Sequence, residues 1–302
     1  ELGERTTQEY LEKLNQTIKA VENGNIRNIK VTKLEALIYR ELKEYDKAVE
    51  KFENLMLMDS VTSSNSLAGV FLNTKTKLIL ENSKKYPDRK NEYLIELNKL
   101  SKDFETLISY SPTAEKINML GSTYKRLAYL SEKEEKKASY LNAARQYRNS
   151  YIKTPKWYSL INWLSLESTF VRSKWHKWGS DKNDKNENIG YQLPTTNEAI
   201  QMLEAMKVKV ASNKEHKSYW DMIAILNLDL TRYIIEFESS DRQAELDIIR
   251  QKIISHWKLA GSKGKRFAEV EHLDFLSDAI PGKQDKLKKE LERLKASLEQ
   301  LI

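Results

Sequence analysis

Nine glycines and five prolines are all that punctuate a chain of 302 residues. Sandwiches and barrels need turn formers every 8–12 residues or so. So few breakers leave room only for long, continuously hydrogen-bonded elements, and those are helices. The hydrophobic pattern agrees. Most segments place apolar residues at helical spacing, and none alternates convincingly as a strand. Tyr10, Leu11, Leu14, Ile18 and Val21 mark a first helix that stops at Asn23-Gly24-Asn25. The spacing predicts further helices at about 28–42, 45–58, 66–85, 90–110, 113–131, 134–153, 156–177, 196–211, 214–237, 241–260, 265–279 and 283–301. Pro87, Ser111-Pro112, Thr154-Pro155, Pro194, Gly261 and Pro281-Gly282 fall between them. Pro112 is read as sitting at a helix start, where its missing N–H costs nothing.

Within an all-α class, helical hairpins at a regular period mean a solenoid. The tetratricopeptide pattern is W-x2-L-G-x2-Y, then A-x3-F, then P. Small residues let helices A and B approach, aromatics fill the hairpin, and proline ends helix B. Ala36 and Tyr39 with Ala48 and Phe52 make one match. Ile117, Leu120, Gly121 and Tyr124 with Ala143, Tyr147 and Pro155 make a better one. Ile161, Leu164 and Ser165 open a third, and Trp220, Ile223 and Ala224 with Ala244 and Ile248 a fourth. The expected architecture is a TPR-like α-solenoid with irregular insertions and a C-terminal capping helix.

Hydrophobic residues at 40% suffice for an extended core, while 31% charged residues imply a heavily charged surface. The net charge of +7 permits an anionic partner without demanding one. The absence of cysteine excludes disulfides, thiolate metal sites, Cys nucleophiles and iron–sulfur clusters. No apolar run approaches the ~20 residues that span a bilayer. The start, Glu1-Leu2-Gly3, lacks an initiator Met and a signal-peptide core. The chain is therefore read as a cytoplasmic piece cut from a longer protein.

Leu120-Gly121-Ser122-Thr123-Tyr124-Lys125-Arg126-Leu127-Ala128 is the first marker of a closer resemblance. Tyr147, Pro155, Trp157-Tyr158-Ser159-Leu160-Ile161-Asn162, Tyr219-Trp220-Asp221, Trp257, Ala260 and His272-Leu273-Asp274-Phe275-Leu276 follow. Together they resemble the tetratricopeptide-type TRAF-binding region of the apoptosis signal-regulating MAP kinase kinase kinases and similar bacterial proteins. The resemblance spans about 110–276; residues 1–109 carry only the general repeat pattern. It implies a non-enzymatic regulatory module that binds other proteins or controls an attached effector in signalling or defence. The organisation expected is one helical-repeat domain over 1–302. Hairpins occupy 1–109, TRAF-binding-like repeats 110–282 with a mobile loop near 179–195, and a capping helix 283–302.

No motif argues for catalysis. His176, His216, His256 and His272 include no pair at i, i+3 or i, i+4, so no helix face presents two metal-binding imidazoles, and no cofactor is expected. Gly261-Ser262-Lys263-Gly264-Lys265-Arg266 lacks the spacing of a phosphate loop. It reads as a helix–helix turn, with Lys263, Lys265 and Arg266 a secondary candidate for anion capture at a helix N-terminus. Trp157, Trp163, Trp175 and Trp178 crowd one stretch beside Lys and Arg. Trp163 reads as core. Trp175 and Trp178 are the exposed candidates, and they motivate an alternative nucleic-acid or nucleotide-sensing function through base stacking.

The primary reading is a scaffold for a protein or peptide partner on the concave face, which the A helices line. Register places Lys33, Arg40, Asn118, Ser122, Lys125, Asn162 and Asp221 there. Leu287, Leu291, Leu294, Leu298 and Ile302 recur as a narrow stripe. It reads as a cap on the last repeat, or alternatively as a seam for self-association.

Overall fold

A computed structural model of the protein describes residues 29–58, 65–179, 191–212, 219–237, 242–259, 263–282 and 285–301. The predicted first helix, at Tyr10–Val21, lies outside them. Among the described residues are twelve α-helices and no strand. They are α1 (Ile29–Glu41), α2 (Tyr45–Met58), α3 (Asn65–Lys85), α4 (Lys90–Tyr110), α5 (Ala114–Leu130), α6 (Lys133–Lys153), α7 (Trp157–Arg172), α8 (Thr196–Ser212), α9 (Tyr219–Ile235), α10 (Gln243–Leu259), α11 (Lys263–Ala279) and α12 (Lys286–Glu299). Successive helices pair as antiparallel hairpins. A helices also stack on the next A helix, α3 on α5 and α7 on α9. This is a TPR-like α-solenoid.

The small-residue positions do what the repeat pattern asks of them. A Cβ on Gly121 would meet the Tyr147 ring at 3.1 Å, so only glycine lets α5 and α6 approach this closely. Ala36, Ala48, Ala128, Ala143 and Ala224 are fully buried. Gly121→Leu is expected to overpack this hairpin and cost roughly 1–3 kcal/mol, read as a lower melting temperature.

The fourth match is out of register in its second half. Ala244 and Ile248 are exposed, and α10 buries Leu246, Ile249, Ile253 and Trp257 instead. Helix ends differ in two further ways. Pro112 precedes the cap; Thr113 is the N-cap, its hydroxyl accepting from the Lys116 amide. And α7 ends at Arg172, five residues before the sequence expectation near 177. There Lys174 adopts φ 59°, with Trp175 N–H donating to Phe170 O and Lys174 N–H to Val171 O. Those two bonds form a Schellman motif. Lys43, at φ 63°, closes α1 in the same way through Glu44 N–H to Tyr39 O and Lys43 N–H to Arg40 O.

The segment near 179–195, expected to be a mobile loop, is anchored at both ends that are described. Gly179 N–H donates to Pro194 O at 3.0 Å, and Leu193 is 3% exposed. The Tyr191 hydroxyl donates to Glu167, a buried carboxylate that also faces His176 Nδ1 at 2.8 Å and the Trp163 indole N–H at 3.3 Å. Thr195 and Glu198 then exchange bonds as a capping box that starts α8.

The largest departure from a plain solenoid is α11. It does not extend the stack. It turns back over the A helices and packs on α1, α5 and α7. The approach to α1 is tight: a Cβ on Gly264 would come within 2.7 Å of Glu41 O. Lys43 Nζ sits 3.1 Å above the Phe267 ring. Helix α12 lies along α11 and buries Leu287, Leu291, Leu294 and Leu298.

Candidate functional site

Helix α11 is held by charge as well as by apolar area. Its acidic residues Glu271, Asp274 and Asp278 fall at i, i+3 and i+7, a single helical face. Each meets donors from a different helix. Arg126 Nη2 of α5 donates to Glu271 Oε2 at 3.0 Å. Lys84 of α3 and Lys295 of α12 reach the two oxygens of Asp274 at 3.1 and 2.7 Å. Tyr140 and Lys136 of α6 donate to Asp278 at 2.6 and 2.8 Å. Two residues before Glu271, Asn227 of α9 donates to Glu269 at 2.8 Å.

Between α11 and the A helices the surfaces do not close completely. A cavity of ≈ 580 Å³ remains. Arg40, Asn118, Ser122, Lys125 and Asn162, five of the seven residues that repeat register assigns to the concave face, line it together. Lys33 is exposed on α1, and Asp221 lies half-buried in the first turn of α9; neither joins the cavity. The groove is not open as expected. Lys125 is 5% and Asn162 2% exposed, and Lys125 Nζ donates to Asn162 Oδ1 at 2.8 Å. The Lys125 ammonium also lies 4.9 Å from the Phe275 ring of α11. The cause is α11 itself, which covers these positions.

The site's electrostatics follow from that cover. Burial pulls Lys125 down to about 7 and Lys77 down to about 8. Burial, with the Lys125 charge nearby, drives His272 down to about 3, so its imidazole is neutral. Burial raises Glu269 to about 7 against the opposing bond from Asn227. Burial would raise Glu271 too, but Arg126, Lys77, Lys125 and Lys84 together hold it below the ordinary value. Several buried polar atoms on these walls have no partner among the described residues: Arg40 Nε, Asn73 Oδ1, Asn118 Oδ1 and Arg126 Nε. Buried donors and acceptors are rarely left so, and each asks for an occupant.

Glu269 gives a pH prediction with a definite sign. A folded-state pKa raised from 4.5 to about 7 contributes stability that is fully present below pH 4.5 and is lost as pH rises through 7. Glu269→Gln keeps an acceptor for Asn227 without the buried charge. It is expected to match wild type near pH 4.5 and to exceed it at pH 8 by on the order of 2 kcal/mol, read from urea unfolding at both pH values.

The other candidates are placed differently. Arg266 is 5% exposed and donates to the Trp257 carbonyl, so it closes the end of α10 and is not free to capture an anion. Lys265 Nζ lies 5.5 Å from the Tyr219 ring. Lys263 opens α11, and its side chain is outside the described set. Trp175 and Trp178 are not exposed stacking platforms; both are half-buried against the main core. Trp175 stacks on Phe170 at 5.5 Å because the Schellman turn folds it back onto α7. The aromatics at the cavity are Trp157, Tyr158 and Trp220. Sequence reasoning missed the residues that α11 supplies, Glu269, Glu271 and His272, and Lys77 from α3. Their only advance signal was the acidic face 271–274–278.

Among the described residues no three His, Asp or Glu side chains are grouped as a metal ion requires. No described helix is long and apolar enough to cross a membrane. Residues 44–167 match the family described as Tetratricopeptide Repeats-Sensor (TPR-S), a match over α2 to most of α7. It supports a TPR-type domain, an architecture that serves generally as a non-enzymatic protein-interaction scaffold. No curated protein and no solved structure matches the chain.

Proposed function

We propose that this helical-repeat module is a sensor. A small polar ligand enters the cavity between the concave face and α11, and the seating of the α11–α12 hairpin reports its presence to an attached or associated effector. The observation that carries the reading is the cavity itself: ≈ 580 Å³, within the 300–1,000 Å³ or so typical of small-molecule sites, and walled by buried polar atoms that lack partners. A peptide laid along the A helices would have to displace α11. The description of the matching family as a sensor supports the same reading. The resemblance of 110–276 to a TRAF-binding region supports the second half of it, a partner protein or effector in signalling or defence. That contact belongs to surfaces outside the cavity, where Lys33 is exposed on α1.

The test is a thermal shift with a filtrate of cell metabolites below about 1 kDa, followed by mass spectrometry of what co-purifies. Asn118→Phe fills the cavity from α5 without removing any bond its carbonyl oxygen makes. The filtrate is expected to raise the melting temperature of wild type and not of the filled variant. Equal shifts in both, or none in wild type, would remove the cavity from the mechanism.

A further inference from the structure

Four cationic side chains converge on one part of the cavity: Arg40 from α1, Lys77 from α3, and Lys125 and Arg126 from α5. Facing them from α11 is a single carboxylate held in its charged form, Glu271. Glu269, the other α11 acid within, is raised to about 7 by burial and so carries only part of a charge at pH 7, while Glu115, the remaining acid of the lining, is exposed in the first turn of α5. Among the described residues, Arg126 alone bonds Glu271 directly. Lys77 makes no ion pair among the described residues, and the Nε atoms of Arg40 and Arg126 are buried without acceptors. Cations gathered in a semi-enclosed space repel one another unless an anion joins them. Burial lowers both lysines, and the neighbouring arginines push them in the same direction.

From this charge imbalance we infer that the cavity floor is a binding site for a multiply charged, phosphate-type anionic group, and that Glu271 is its internal stand-in, displaced when the ligand arrives. The inference rests on the sensor reading and adds ligand class and mechanism to it. Arginine presents paired N–H donors that match phosphate oxygens, while the lysines add point charge. The incoming anion takes over the Arg126 guanidinium. Glu271 then faces a neighbouring negative charge, and α11 loses the one pair that ties it to α5. The remaining ion pairs of α11 among the described residues, at Asp274 and Asp278, have partly exposed cationic partners and constrain it less than the Arg126 pair does. A single local exchange of counter-ions therefore biases the whole C-terminal hairpin.

The experiment measures calorimetric binding of inorganic diphosphate and of phenyl phosphate at low salt, with hydrogen exchange of residues 263–279 in parallel. Phenyl phosphate tells an ester carried on a ring, which Trp157 and Trp220 would contact, from the free anion. Wild type is expected to bind at least one probe, and α11 amides to exchange faster when it is bound. Glu271→Gln removes the competitor and should tighten binding about tenfold. Glu271→Asp, a shorter carboxylate, should tighten it less and serves if the first variant folds poorly. Lys77→Met, which breaks no ion pair, should weaken binding at least tenfold. No binding by wild type or either Glu271 variant would overturn the anion site. Binding that Glu271→Gln does not tighten, with α11 exchange unchanged, would overturn the displacement. If these probes fail while the metabolite filtrate still stabilises wild type and not Asn118→Phe, the sensor reading stands and the anion inference falls.

Discussion

Replacing Arg126 with methionine is expected to destabilise the protein by about 3 kcal/mol, the lower end of the cost of removing one partner from a buried ion pair, because the Glu271 side chain is 27% exposed. The guanidinium is 1% exposed and joins three helices. It donates to Ser122 of its own helix at 2.7 Å, to Thr76 of α3 at 3.3 Å and to Glu271 of α11 at 3.0 Å. Methionine fills similar volume but leaves Glu271 without its one direct partner among the described residues. Lys77 and Lys125 remain in range of that carboxylate but do not bond it, so they offset only part of the loss. The double variant Arg126→Met, Glu271→Leu removes both charges and is expected to recover much of the lost stability. Urea unfolding at pH 7 gives the cycle. If Arg126→Met alone costs less than 1 kcal/mol, this pair does not seat α11, and the hairpin is held by its apolar side.

The stability of that pair was beyond sequence reasoning, and the reason is instructive. Repeat register groups Arg40, Asn118, Ser122, Lys125 and Asn162 on one face, and all five line the cavity. Register cannot say what lies on that surface. Helix α11 carries Val270, Leu273 and Leu276 at helical spacing, as any hairpin helix would. Nothing local distinguishes a helix that extends the stack from one that folds back over it. The clue was nonlocal: acids at 271, 274 and 278 have meaning only beside Lys84, Arg126 and Lys136, which lie far away in sequence. Turn chemistry hid the Schellman ends at Lys43 and Lys174 for a different reason. Glycine is the usual signal there, and a lysine in the left-handed region announces nothing. In α10, alanine at 244 and isoleucine at 248 mimic the repeat pattern by chance. The buried row 246–249–253–257 has equally good helical spacing and larger side chains, so packing selects it.

The leucine row of α12 carries the second large effect. Leu291 and Leu298 are both fully buried. Replacing each with alanine costs about 2–5 kcal/mol in a core that cannot collapse around the void. Seven residues of helix separate them by ~10 Å, far enough for the two losses to add. The double variant is therefore expected to lose roughly 4–10 kcal/mol, comparable with the whole stability of an ordinary domain, about 5–15 kcal/mol. Its consequence reaches the cavity. Asp285 caps α12 by accepting from the Lys288 amide and pairs with Arg172 at the end of α7, while Lys295 of the same helix holds Asp274 of α11. Loosening α12 thus frees α11 from two directions, and faster exchange should appear in residues 263–279 as well as in 286–299. The same leucines offered a seam for self-association when read as a stripe. Within one chain the four leucines are covered, and Ile302, the last member of the stripe, lies outside the described residues. Size-exclusion chromatography of the double variant separates the cases. Destabilisation at unchanged mass fits a row that packs within the chain. A dimer that dissociates while each chain keeps its melting temperature would mean that the row serves an interface instead.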